Sequence, residues 1–466
     1  MSYNVLQDDL PPILSIPGSY GGVPVKRIAD NAFAFHSYIY NVEIPNSIVT
    51  IGYKAFYLCY DLEHITFTSG SQLQNIKDYA FSGTKIEEIM IPESVISIGN
   101  NVFTDCVKLE TIGVESSNNN FSCVDGILYN KAKTDIIACP IMYTGNLVIP
   151  NTVTTIRDSA FASCNKLTAV HLHDNIDYIG EFAFYKCSAL TEIVIPVGVN
   201  IIGYGAFFRC STLTSINVAN ANIAYSSYNG VLFNKDKSVL IYCPEAKNGN
   251  FVIPELVKRI EERAFDSCVL ISSITIPDNV NVIADYAFTD CYGLNDIIFE
   301  GDFEILSIGE FAFSGCSDLS SISLPYGLHS IGKYVFNKCY NLTNIYLPEG
   351  IAVIGDGAFN DCINLESMII PDSVINLGVY IFENCWDMTE VKLPSGITFI
   401  PEGMFYHCSG FTEFELPTTV TSIGSYAFSG CANLSDITLS DSVSIIGNYA
   451  FKDCTSLTTL DSQSVY

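Results

Sequence analysis

Thiols, carboxylates and imidazoles recur in this sequence at spacings that chemistry could use. There are 17 cysteines, an odd number, so at least one thiol stays unpaired even under oxidising conditions. Cys316, Cys339, Cys362, Cys385, Cys408, Cys431 and Cys454 follow one another at a constant step of 23, and no Cys-x-x-Cys occurs. A zinc site or a thioredoxin-type redox pair therefore has no ligands at the spacing it needs. Glu390 and Glu413 share the same step, and on adjacent strands they would lie about 5 Å apart, the separation a retaining glycosidase uses. An open sheet, however, offers no pocket to desolvate such a pair. His171, His173 and Asp174 form a small imidazole and carboxylate group that reads as surface rather than metal site. The segment from Gly327 to Lys333 has the Gly and Lys of a phosphate-binding loop, but Tyr334 stands where Ser or Thr is required. No constellation supports catalysis, no metal site is assigned and no cofactor is called for.

The elements that carry these residues are repeats. Sixteen anchor Phe residues run from Phe33 to Phe451, mostly 23 apart, with intervals of 58 before Phe161 and Phe265. A fixed period in this range means a solenoid, not the three globular domains suggested by 466 residues. One unit reads Ile354, Gly355, Ala358, Phe359, Cys362, Leu365, Met368, Ile370, Pro371, Val374. Phe, Cys and Leu recur every third residue, which predicts a short 3₁₀ or α turn, and the alternating segment that follows predicts a strand with one buried face. A coil this small cannot close a core alone, so neighbours must stack, with identical strands forming a parallel sheet and identical apolar residues forming internal rows. Pro after the strand lacks an N–H and ends the pairing. Gly at the fourth position before Phe is replaced by Pro401 once, so it reads as a close-packing preference and not as a positive-φ requirement. The cysteines three residues after Phe point inward as small hydrophobes, free and structural.

The expected organisation is an N-terminal cap over residues 1–27 and one continuous repeat solenoid over 28–466. Hairpin insertions are expected at about 116–149 and 220–253, where two apolar strands flank a polar Asn-Lys turn.

The net charge is −28, yet only 15% of residues are charged, against roughly 25% in an average soluble domain. This acid excess excludes nucleic acid, whose phosphates need Lys and Arg clusters. The first thirty residues show no signal peptide, and no apolar run approaches a membrane span, so membrane insertion is not expected.

The unit Ala-Phe-x-x-Cys-x-x-Leu-x-x-Ile-x-Ile-Pro resembles the BspA-like class of leucine-rich repeats. The Asp/Asn-Gly-Ile/Val-Leu-Tyr/Phe-Asn-Lys segments and residues 16–33 resemble it as well. The resemblance implies a leucine-rich-repeat solenoid with a parallel β-sheet of short strands on one face, short 3₁₀/α turns and loops on the other, and two inserted β-hairpins. It also implies a non-enzymatic, adhesin-like scaffold, at the cell surface or secreted, that recognises an extracellular matrix or cell-surface protein. A glycan is a second ligand class, and an intracellular (cytoplasmic) interaction scaffold is the alternative.

On the strand, the outward residues lie seven, eight and ten positions after Phe, and stacking turns each set into a column. The candidate ligand-binding residues are Glu63, Glu87 and Glu110 at one end, and Tyr346, Glu390, Lys392, Glu413, Glu415 and Asp436 at the other. Stacked like charges are unfavourable, so these acidic ends are expected either to meet a basic patch or cation or to stand solvated.

Overall fold

The computed structural model describes residues 13–301, 306–439, 441–458 and 461–462. The first twelve residues of the cap segment and the last four of the array lie outside the described residues. The chain forms two compact units, Met1–Tyr225 and Ser226–Tyr466. Each is a stack of coils, and no helix occurs among the described residues.

A coil has three hydrogen-bonded arcs. The first is the expected strand, as in Glu88–Ile91 paired in parallel with Thr111–Val114, or Ser321–Ser323 with Asn344–Tyr346. Along Glu88–Ile91 exposure alternates with burial, because a period of two sends every other side chain inward. The second arc, which the sequence pattern alone did not reveal, is a parallel ladder of mostly two-residue strands just before the repeat's Gly. In the second unit it runs from Val239–Tyr242 to Asn376–Leu377 and restarts at Phe399–Ile400. Pro401 explains the break. The Gly378 and Gly424 N–H groups donate to the Ile354 and Ile400 carbonyls, each at 2.8 Å. Pro401 holds the same place and has no N–H to give the Leu377 carbonyl. The Gly of this arc has an ordinary φ, and a Cβ on Gly378 would lie 2.4 Å from the Asp356 N. Close packing between coils is therefore what Gly supplies.

The third arc corrects the expected 3₁₀/α turn. Its i→i−3 bonds exist, as in Asn360 N–H to the Gly357 carbonyl (2.9 Å) and Cys362 N–H to the Phe359 carbonyl (3.2 Å). However, φ turns positive two residues before and two residues after the anchor Phe in all sixteen coils, Tyr334 (54°) and Lys338 (59°) among them. This alternation of hand prevents a helix and aims alternate N–H groups along the stack. Gly357, Phe359 and Asp361 donate to the Val379, Ile381 and Glu383 carbonyls of the next coil at 2.9, 2.9 and 2.8 Å. None of these positive-φ positions holds Val, Ile or Thr, whose branched Cβ fits that region worst. Lys338 is exposed and makes no side-chain hydrogen bond among those described, which isolates the backbone effect. Lys338→Val is expected to cost about 1–2 kcal/mol and Lys338→Gly to change stability by less than about 1 kcal/mol, read as shifts in the urea midpoint.

Inside, the anchor rings form face-to-face rows. Phe265, Phe288, Phe313, Phe336, Phe359, Phe382, Phe405, Phe428 and Phe451 stack with centroids 4.7–5.7 Å apart and planes within 28°. All 17 thiols are free, and all are buried except the half-buried Cys123. They are more than apolar filler: Cys339 Sγ donates to the Phe313 carbonyl at 3.3 Å, and Cys362 Sγ to that of Phe336 at 3.1 Å.

The first insertion contains the expected antiparallel hairpin, Ile127–Asn130 with Asp135–Ala138, preceded by Phe121–Val124 across a turn of positive-φ Asp125 and Gly126. The rest of it is an irregular extra coil. Asp135–Ala138 joins the second-arc ladder beside Thr155–Ile156, Gly145–Val148 joins the strand face beside Leu167–His171, and Cys139 N–H donates to the Ala160 carbonyl at 2.7 Å. The second unit repeats this arrangement with Val231–Asn234, Val239–Tyr242 and Gly249–Val252.

Candidate ligand-binding face

The strand arc presents its outward residues as columns because parallel register places equivalent positions side by side. In the first unit Glu63 and Glu87 stack, with Glu87 N–H donating to the Glu63 carbonyl (3.3 Å) and Glu110 N–H to the Glu87 carbonyl (2.9 Å). These carboxylates are not bare. Lys108 Nζ lies 2.6 Å from Glu63 Oε1 and 3.4 Å from Glu87 Oε1, and the Tyr40 hydroxyl donates to Glu63 Oε2 at 2.6 Å. The Lys108 ammonium and then the Tyr40 hydroxyl hold the Glu63 carboxyl below its ordinary range. The same hydrogen bond raises the Tyr40 phenol. The bridge spans residues 45 apart in sequence, two coils away, and the sequence signal for it was a single Lys beside three Glu.

At the other end the carboxylates stand differently. Glu413 lies directly opposite Asp436, and Glu415 opposite Thr438. Glu390 and Lys392 lie opposite Ser367 and Ile369. The strands carrying Glu390 and Glu413 belong to separate ladders, so these two are not ladder partners. Glu390, Lys392, Glu413, Glu415 and Asp436 are all exposed, and among the described residues none joins an ion pair. Tyr346, 56% exposed, precedes the exposed Ile369 and then Lys392 in the tenth-position column. What this face can do is present carboxylates, hydroxyls and a few apolar side chains on a regular grid. Gly332 of the loop-like Gly-Lys segment is the repeat's own packing glycine, with a built Cβ 3.1 Å from the Gly309 backbone. No helix among the described residues is long and apolar enough to cross a membrane.

Stacked strand-and-turn coils with buried Phe, Leu and Cys rows define a leucine-rich repeat scaffold. The chain matches the BspA type leucine-rich repeat region over residues 24–131, 142–238, 241–355 and 329–458, and it belongs to that family. A leucine-rich cell surface protein from Faecalibacterium prausnitzii shares 28% identity at a TM-score of 0.50, over 82% of this chain and 87% of that one. A leucine-rich repeat protein from Eubacterium ventriosum shares 22% at a TM-score of 0.48, covering 90% of each chain. The pneumococcal vaccine antigen PcpA shares 21% at a TM-score of 0.32, over 93% of this chain and 88% of that one. Comparison with curated proteins finds no match.

Proposed function

We propose that this protein is a non-catalytic, adhesin-like binding scaffold of the cell surface or the secreted space, and that its C-terminal coils recognise a basic patch on an extracellular matrix or cell-surface protein. The observation that carries the reading is charge without internal compensation. Residues 351–466 hold 14 Asp and Glu against 2 Lys; Asp356 is paired with Lys333 (2.9 Å) and Asp453 with Lys452 (3.7 Å), and among the described residues the carboxylates of the strand face here are not. On the strand face Glu390, Glu413, Glu415 and Asp436 remain exposed with Lys392 as the single cation among them. Opposed like charges such as Glu413 and Asp436 are relieved when a cationic surface meets them. Glu63, Glu87 and Glu110 form a secondary contact, since Lys108 already offsets part of their charge. The similar Faecalibacterium protein supports the surface location.

Two measurements test this. Surface biotinylation of intact cells labels the protein if it faces outward, and labelling only after lysis rejects the adhesin reading. Immobilised extracellular matrix proteins should capture the full chain in a salt-sensitive way, and the variant Glu390→Lys, Glu413→Lys, Asp436→Lys should bind at least about tenfold more weakly. Unchanged capture by the reversed variant rejects the acidic face as the contact.

A further inference from the structure

Beside the strand face, four residues after each anchor Phe, runs a second column in the unit Ser226–Tyr466, exposed at its aromatic rungs and half-buried at the rungs between them. It reads Tyr292, Ser317, Tyr340, Ile363, Trp386, Ser409, Ala432, so that an aromatic occupies every second coil three times over. Tyr292 is 50% exposed, Tyr340 39%, and Trp386, the only tryptophan in the chain, 51%. The coils stack directly at this edge: Asp318 N–H donates to the Tyr292 carbonyl (3.2 Å), Asn341 N–H to that of Ser317 (3.1 Å), and Asp387 N–H to that of Ile363 (3.0 Å). With coils about 4.8 Å apart, alternate rungs put the rings roughly 10 Å from one another.

The next column, five residues after Phe, carries Asp318, Asn341, Asn364, Asp387, Gly410 and Asn433. An open groove beside Trp386 is lined by Glu366, Asp387, Thr389, Ser409, Gly410 and Asn433. Gly410 has no room for a Cβ, which would lie 2.6 Å from the Met388 carbonyl oxygen, and Ser409 is small, so the coil after Trp386 puts no large side chain in the groove. Asn433 Nδ2 is tied to the Ser409 carbonyl at 2.8 Å, which fixes its amide oxygen as an acceptor at the groove wall.

The geometry points to a binding strip for an extended, uncharged β-1,4-linked pyranose chain. In such a chain every second sugar presents the same face, so rings on alternate rungs meet equivalent apolar faces, while the planar carboxylate and amide column meets the equatorial hydroxyls. The carboxylates Glu366, Asp318 and Asp387 disfavour an acidic glycan. The strip borders the strand columns and shares Glu366 and Thr389 of the seventh-position column with them, but its aromatic rungs lie outside the acidic positions of the protein-binding reading above.

Trp386 supplies its own readout. Titrating the full chain with cellohexaose and chitohexaose should change its tryptophan fluorescence saturably with at least one of them, whereas maltohexaose, whose α-linkage curves the chain, should have no effect. Tyr340→Ala should weaken that binding about tenfold and leave the fluorophore intact. Trp386→Ala should abolish measurable binding by calorimetry, with the thiols still protected from labelling to show that the fold persists. Absence of a response to both β-linked chains overturns the proposal. So does an equal response to maltohexaose or an undiminished affinity in Tyr340→Ala.

Discussion

Raising the pH from about 8 to about 10 is expected to unfold the coil stack, with a collapse of the strand signal in far-ultraviolet circular dichroism. Nine thiols, Cys164, Cys187, Cys268, Cys291, Cys316, Cys339, Cys362, Cys385 and Cys408, are held well above their ordinary pKa. For Cys164 the hydrogen bond with Cys139 leads, with desolvation behind it, and for the others desolvation by burial is the main cause. Cys59 is pushed up to about 12, and Cys106 and Cys454 to about 11, for the same reason of burial. A group whose folded pKa is raised contributes its full share of stability below the unfolded value, near 8.5 for Cys, and loses it as pH climbs toward the folded value. Above about 8.5 the unfolded chain ionises its thiols and the native chain does not. At pH 10 this costs about 2 kcal/mol per fully protected thiol, so the seven in Ser226–Tyr466 together remove on the order of 14 kcal/mol, comparable with a typical domain's net stability of about 5–15 kcal/mol.

Titration with a thiol reagent follows the same event. Near neutral pH only the half-buried Cys123 should react readily, and beyond the transition all 17 should. Cys339→Ser with Cys362→Ser keeps a hydroxyl to donate where the thiols reach the Phe313 and Phe336 carbonyls, and removes two titrating groups. Its alkaline loss should be smaller by about 4 kcal/mol at pH 10. A native spectrum and a single reactive thiol at pH 10.5 would sink this account.

Phe336→Ala is expected to destabilise the second unit by about 3–5 kcal/mol, because it removes a fully buried ring and leaves a cavity that neighbouring coils cannot fill. The ring stacks on Phe313 at 5.7 Å and on Phe359 at 5.5 Å, so its loss weakens both coil interfaces. In a stack held by nearest-neighbour contacts, a mid-array defect divides the cooperative unit, whereas an end defect shortens it. Phe451 is only half-buried and stacks on Phe428 alone among the described anchors, so Phe451→Ala should cost about half as much. Urea denaturation of the two variants compares them, and equal costs would contradict the stacked-row picture.

Much of this molecule was legible in the sequence because its core is written once per coil. The step of 23 from Cys316 to Cys454, with Phe three residues ahead of each, required neighbours to supply what one coil lacked, and the rows of Phe and Cys followed from stacking alone. The outward positions seven, eight and ten residues after Phe were equally readable, since a strand has only two faces. The turn arc was misread as helical because a three-residue spacing of Phe, Cys and Leu suits an i→i−3 turn whichever way φ runs. The absence of Val, Ile and Thr two residues either side of Phe was the available sign that φ was positive there.

By itself, then, the sequence determined the repeat, the identity of the buried rows and the outward-facing strand positions, because each depends on contacts repeated identically between adjacent coils. Only the tertiary structure decided the hand of the backbone beside Phe, the break at Pro401 and the capture of Glu63 and Glu87 by Lys108. Those features depend on which donor faces which acceptor between residues one or two coils apart. That pairing is set by the register of stacked neighbours, which the residues' local preferences permit but do not choose.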